Sequence, residues 1–97
     1  GELYAATEAM RAAGASDETI YQLRASTLDP QAASALQQLD EQRRQWQARL
    51  QAYASERNNL RQSGLSPADQ QQAIDQLRAQ RFDQSERLRV IALDEDL

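Results

Sequence analysis

The sequence contains no cysteine and no histidine, and each absence removes a class of function. Without cysteine the chain has no disulfide, no thiol nucleophile and no cysteine-ligated zinc site. Without histidine it lacks the usual base of hydrolase triads and the commonest ligand of transition metals. It also has no glycine-rich phosphate loop. We therefore predict no catalytic, cofactor-binding or metal-binding residue, no cofactor and no enzymatic activity.

Aromatic residues make up only 5% of the 97 residues, and much of the 40% hydrophobic fraction is alanine. A thick core around a deep pocket is therefore not expected. The net charge of -4 offers no general attraction for phosphate, so we expect no nucleic-acid partner. No apolar run is long enough to span a membrane. The chain begins at Gly1 rather than Met, so we expect a fragment whose signal or anchor would lie upstream.

Helical periodicity and capping residues predict about five helices and no strand. Glycines at positions 14 and 64 are typical of helix ends, and Ser16, Ser66 and Asp83 are typical N-caps. The predicted helices cover residues 2–13, 17–27, 29–62, 67–81 and 84–94. The acidic residues 94–96 are expected to form a solvated tail.

The helix predicted over residues 29–62 carries a narrow stripe with an average period of 3.5. At 1.5 Å per residue it spans about 50 Å. The stripe consists of Leu36, Leu39, Arg43, Trp46, Leu50, Tyr53, Arg57 and Leu60. We predict an all-α, elongated helical scaffold with one long central helix and short helices packed on its ends. Its predicted domains are a helical hairpin over residues 1–28 and, over 29–97, the long helix with a two-helix C-terminal mini-domain.

The stripe has two interpretations. It can bury apolar residues of the fourth and fifth helices, expected to be Ile74, Leu77, Phe82, Leu88 and Ile91. The fifth helix also carries Ala92 beside Leu88 and Ile91. The stripe can instead bind another protein, since Trp, Tyr and Arg dominate binding energy at interfaces. In that interpretation the partner-binding residues are Arg43, Trp46, Leu50, Tyr53, Arg57 and Leu60. The guanidinium groups of the two arginines would then meet carboxylates or carbonyls of the partner; otherwise they would reach solvent.

Four segments together resemble a known family. They are AAGASDETIYQLR (residues 12–24), LDEQRRQWQARLQAYASER (39–57), GLSPADQQQAIDQLRAQRF (64–82) and DQSERLRVIALD (83–94). Their order and spacing resemble the C-terminal part of the bacterial lipase-specific foldases, the steric chaperones of secreted lipases. The resemblance covers most of the chain.

The resemblance implies a role and a location. Family members are held on the periplasmic side of the inner membrane by an N-terminal anchor, and two small helical domains joined by an extended helical segment wrap the lipase. This chain would be the end of the extended segment plus the second small domain, with no membrane contact of its own. The family's Arg-x-x-Phe-Asp-Tyr signature is absent, so the chain is expected to hold the lipase without activating it alone.

A structural helical module that pairs with its own copy is the alternative. Arg43 and Arg57 count against it, because like charges would face each other in a parallel pair. Sedimentation distinguishes the two, since the alternative requires a dimer.

Overall fold

The structure, a computed structural model, describes residues 1–97 and is all-α. Five helices are joined by short turns, and no strand forms. The helices are α1 (Glu2–Ala12), α2 (Asp17–Thr27), α3 (Pro30–Arg61), α4 (Pro67–Arg81) and α5 (Gln84–Leu93), followed by a 3₁₀ turn over Asp94–Asp96. This confirms the predicted all-α fold with one long helix, and each predicted helix end agrees to within one residue.

The helix starts are fixed by local capping hydrogen bonds. Ser16, Asp29, Ser66 and Asp83 each accept the backbone N–H of the residue three positions later, at 2.8–3.2 Å. Each bond satisfies one of the donors that the first helical turn leaves without a partner. At Asp83 the capping box is complete, because the side chain of Glu86 accepts the N–H of Asp83 in return.

The turns after α1 and α3 use glycine in the left-handed region. Gly14 has φ +88° and Gly64 has φ +80°. A residue with a Cβ is strained in this conformation, whereas glycine adopts it freely. These two glycines end their helices, as the sequence predicts.

Helix α3 has 32 residues and is about 48 Å long at 1.5 Å per residue. Packing divides the chain inside this helix, into a first unit, Gly1–Arg44, and a second unit, Gln45–Leu97. The predicted division into residues 1–28 and 29–97 stays a prediction. No helix combines the length and apolar character needed to cross a bilayer.

In the first unit, an ion cluster on Asp40 joins the two short helices to the beginning of α3. The Asp40 carboxylate accepts hydrogen bonds from Arg11 of α1, at 3.0 Å, and from the buried Arg24 of α2, at 2.6 Å. Burial by itself would raise the pKa of Asp40, but the hydrogen bonds and charges of the two arginines lower it below its ordinary value. The cluster therefore favours the ionised carboxylate.

In the second unit, the remainder of α3 packs with α4 and α5 around one apolar core. The buried residues of this core are Leu50, Tyr53, Leu77, Phe82 and Val90. Four partly buried residues pack against it: Trp46, Leu60, Leu93 and Leu97. The core is small, in keeping with the low aromatic content of the sequence.

Candidate protein-binding surface

The six residues predicted to bind a partner fall into three groups by exposure. The buried group is Leu50, Tyr53 and Arg57, and the half-buried group is Trp46 and Leu60, all in the second unit. Arg43 belongs to the first unit and is exposed. Internal packing therefore occupies the C-terminal half of the stripe, as the interpretation in which the stripe buries residues of the fourth and fifth helices predicts. The partner-binding role of the six residues stays a prediction.

Arg57 is enclosed by its own chain. Its side chain is 2% exposed, and its guanidinium donates to the Asp94 carboxylate at 2.9 Å and to the Asp94 carbonyl at 3.0 Å. A further donor reaches the carbonyl of Leu97 at 2.8 Å. The expected ligand chemistry, a carboxylate and carbonyls, is present, but it comes from this chain and not from solvent or a partner.

The prediction of a solvated acidic tail is wrong for Asp94. Besides binding Arg57, its carboxylate accepts the hydroxyl of Tyr53 at 3.1 Å and lies 3.6 Å from Arg61. The two arginines are four residues apart on α3, so the carboxylate also relieves their mutual repulsion. Glu95 and Asp96 are exposed.

The hydroxyl of Tyr53 joins three segments. It donates to Asp94 after α5 and accepts a hydrogen bond from Arg78 of α4 at 3.2 Å. Burial raises the pKa of Tyr53 above its ordinary value, so the hydroxyl keeps its proton and remains a donor to Asp94. This residue therefore acts within the fold of the second unit.

Trp46 lies at the edge of the core and is held there by aromatic and cationic contacts. Phe82 makes edge-to-face contacts with Trp46 and with Tyr53, each with 5.6 Å between ring centroids. Arg49 lies 5.0 Å from the Phe82 ring and 5.5 Å from the Trp46 ring, and binds both carboxylate oxygens of Glu86 at 2.8–2.9 Å. These contacts position the half-buried indole with part of its surface in solvent.

The outward side of α5 is apolar, against expectation. Leu88 is 71% exposed and Ile91 is 53% exposed, and Ala92 beside them is also exposed. The prediction that Leu88 and Ile91 are buried is wrong, because α5 carries a second apolar stripe. Val90 is fully buried and Leu93 packs on the core instead. We call Leu88, Ile91 and Ala92 the α5 outer face.

Two arginines border the α5 outer face. At 100° per residue, Arg87 and Arg89 lie on opposite sides of Leu88. Neither has a carboxylate within ion-pair distance, although Arg87 donates to the carbonyl of Phe82 at 2.9 Å. An apolar strip edged by unpaired cations is suited to a partner surface that carries apolar and acidic groups.

Leu60 lines a separate open cleft of about 400 Å³ between α3 and α4. Leu77 and Ala73 contribute apolar surface, and the amides of Gln76 and Gln80 also line it. The cleft lacks the enclosed shape of a small-molecule pocket. It leaves Leu60 in contact with solvent.

Sequence reasoning missed the α5 outer face because it considered one stripe of α5 only. Leu88, Ile91 and Ala92 have helical spacing. Val90 and Leu93, which pack in the core, have helical spacing as well. The core of the second unit contacts one face of this ten-residue helix, so that core does not bury the opposite stripe. The second stripe was therefore the available signal that one face of α5 would stay exposed.

Comparison with known proteins places the chain in a family. Residues 2–87 match the family model described as proteobacterial lipase chaperone protein. The lipase chaperone of Stutzerimonas stutzeri is 42% identical over 93 residues, which are 95% of this chain and 28% of the relative. That of Chromobacterium violaceum is 40% identical over 84 residues, covering 86% of this chain and 28% of the relative. A lipase-specific foldase of Burkholderia plantarii is 38% identical over 86 residues, covering 88% and 24%.

The chain thus spans about 28% of the length of the first two of these relatives. The residues matched by the family model include residues 2–44 of the first unit and all of α4. The three relatives are 38–42% identical to the chain over the aligned residues. The chain belongs to the family of proteobacterial lipase chaperones.

Proposed function

We propose that the chain is part of a periplasmic steric chaperone that binds a secreted lipase and helps it to fold. The family assignment and the names of the relatives support this role. The chain itself makes no membrane contact and binds no nucleic acid; an upstream anchor holds the full-length protein on the periplasmic side of the inner membrane. The proposal assigns binding to the chain and no chemical reaction.

The observation that carries the proposal is the α5 outer face. Two large aliphatic side chains one helical turn apart are exposed on this face, although the buried core of the chain is small. Leu88 and Ile91 are 71% and 53% exposed, so burying their exposed parts against a lipase contributes about 2–4 kcal/mol, from the ~1.5–3 kcal/mol of one fully buried aliphatic side chain. Apolar patches of this kind, rimmed by polar groups, mark protein-binding sites.

The proposed mechanism is differential binding. A surface that fits the native-like lipase better than the unfolded lipase lowers the free energy of the folded and nearly folded lipase. Each 1.4 kcal/mol of extra affinity for the folding transition state accelerates folding about tenfold. Several shallow contacts spread over a wrapping surface achieve this without a deep pocket.

The test is the affinity of the 97-residue chain for its cognate lipase, measured by calorimetry. We expect the double variant Leu88→Ser/Ile91→Ser to bind at least about 30-fold more weakly, the equivalent of about 2 kcal/mol of lost apolar burial. Its thermal stability should stay near that of the wild type, because both side chains are exposed. Leu65→Ser is the matched control: Leu65 is 41% exposed but lies in the turn before α4.

Two results would contradict the proposal. One is a wild-type chain that does not bind the lipase, and the other is a double variant with wild-type affinity. The structural alternative makes its own prediction. If the α5 outer face pairs with a second copy, the wild-type chain sediments as a dimer at micromolar concentration and the double variant as a monomer.

A further inference from the structure

The guanidinium of Arg89 stacks on the indole of Trp46. Its central carbon lies 4.4 Å from the ring centroid, the shortest cation–π distance in the molecule. The indole is itself positioned by the edge-to-face contact with Phe82. A guanidinium that lies on a fixed ring has fewer rotamers available than one extending freely into water.

Arg89 has no ion-pair partner in a chain rich in acids. Acidic residues number 15 against 11 arginines, and most of the arginines lie within ion-pair distance of a carboxylate. Arg49, the other cation near Trp46, is occupied by Glu86. The hydrogen bond from Arg49 and, to a smaller extent, the charge of Arg89 lower the pKa of Glu86, but both carboxylate oxygens of Glu86 are bound by Arg49. The N–H groups of Arg89 are left without an acceptor in this chain.

We propose that Trp46 and Arg89 form a binding site for a carboxylate side chain on the surface of the bound lipase. This inference rests on the proposed function and names the chemistry that one part of the surface recognises. The indole contacts the guanidinium at 4.4 Å and limits its movement, while the N–H groups of a guanidinium can bind a carboxylate in bidentate fashion. Because the arginine is already positioned, the complex loses less side-chain entropy on forming.

The position of the site supports a lipase as the source of the carboxylate. Arg89 follows Leu88 directly, so an acidic group bound there would border whatever protein covers the α5 outer face. Trp and Arg beside an apolar contact are the residue types that contribute most at interfaces. The local charge is also of the right sign, since the Arg89 guanidinium is cationic and a carboxylate is anionic.

The experiment measures lipase affinity for Arg89→Gln at two salt concentrations. We expect about a tenfold loss of affinity at low salt and a smaller loss at high salt, because screening weakens the wild-type pair. Arg89→Lys keeps the charge but not the bidentate geometry, so it should recover only part of the loss. Thermal unfolding of both variants should shift by no more than a few degrees, since Arg89 is exposed and a cation–π contact at an exposed site, such as that with Trp46, contributes little to stability.

Arg81→Gln is the matched control. It removes the same charge from an exposed arginine of the second unit, but that arginine pairs with Glu56 within the chain. If Arg89→Gln and Arg81→Gln have the same affinity and the same salt dependence, the carboxylate site is wrong. The proposed function still stands in that case, provided that the wild-type chain binds the lipase and the α5 outer face variant does not.

Discussion

At the scale of single residues, the same side-chain type has opposite environments within one small unit. Arg57 is buried because every donor that faces inward meets an oxygen, whereas Arg89 keeps its donors in solvent. A buried guanidinium is tolerated only with this degree of pairing. Arg43 and Arg57 both lie on the stripe of α3, yet Arg43 is exposed and Arg57 is buried, so the position of an arginine on the stripe does not determine its environment.

Removing the partner of Arg57 should destabilise the chain strongly. We expect Asp94→Ala to lower the free energy of unfolding by about 3 kcal/mol, because it leaves a buried charge without its carboxylate. Urea unfolding followed by circular dichroism measures this. Asp96→Ala is the control, and should stay within about 0.5 kcal/mol of the wild type because Asp96 is exposed. Equal stability of the two variants would show that the Arg57 contacts contribute nothing.

The sequence predicts the capping residues well and the ligands of Arg57 not at all. Ser16 and the other N-cap residues accept the backbone N–H three residues later, so a short stretch of sequence is sufficient to predict these hydrogen bonds. Arg57 and Asp94 are 37 residues apart, and their pairing depends on how α5 returns to α3. Nothing local to residues 94–96 distinguishes a buried aspartate from a solvated tail.

At the scale of elements, α5 shows why a correct helix prediction can give the wrong face. Its limits and its capping box agree with the sequence, but the apolar side assigned to the core is the exposed one. Both stripes satisfy helical periodicity, so only tertiary packing decides between them. The stripe on α3 was assigned in the right register, and α4 and α5 cover its C-terminal half.

The N-terminus of α5 should make stability depend on pH. The side-chain hydrogen bond from Arg49 and the backbone N–H of Asp83 lower the pKa of Glu86 from 4.5 to about 2. Since the pKa is lower in the folded chain than in the unfolded chain, ionised Glu86 stabilises the fold above pH 4.5. That contribution is lost as pH falls from 4.5 toward about 2.

Glu86→Gln removes this titration and tests it. Urea unfolding over a series of acidic pH values should show a shallower loss of stability in the variant than in the wild type. Glu95→Gln, at an exposed position outside any ion pair, should keep the wild-type dependence. Parallel curves for Glu86→Gln and the wild type would contradict the assigned pKa.

At the scale of the whole molecule, the chain consists of two small packed units and belongs to the lipase chaperone family. Each unit has its own buried residues and ion pairs, and the second also has the α5 outer face. The absence of cysteine and histidine predicts no enzymatic activity, the helical periodicity predicts a scaffold or a binding module, and the quoted segments predict the family. The location of the exposed surface could not be predicted, because tertiary packing decides which of the two apolar stripes of α5 is buried.

The most direct measurement uses the three isoleucines of the chain as reporters of lipase binding. Ile20 and Ile74 are buried, one in each unit, whereas Ile91 lies on the α5 outer face. Their methyl resonances can be followed by NMR in the deuterated chain while unlabelled cognate lipase is added. We predict a large shift of the Ile91 methyl with small shifts of the other two. A lipase that binds and leaves the Ile91 methyl unchanged would contradict the assignment of this face as its binding surface.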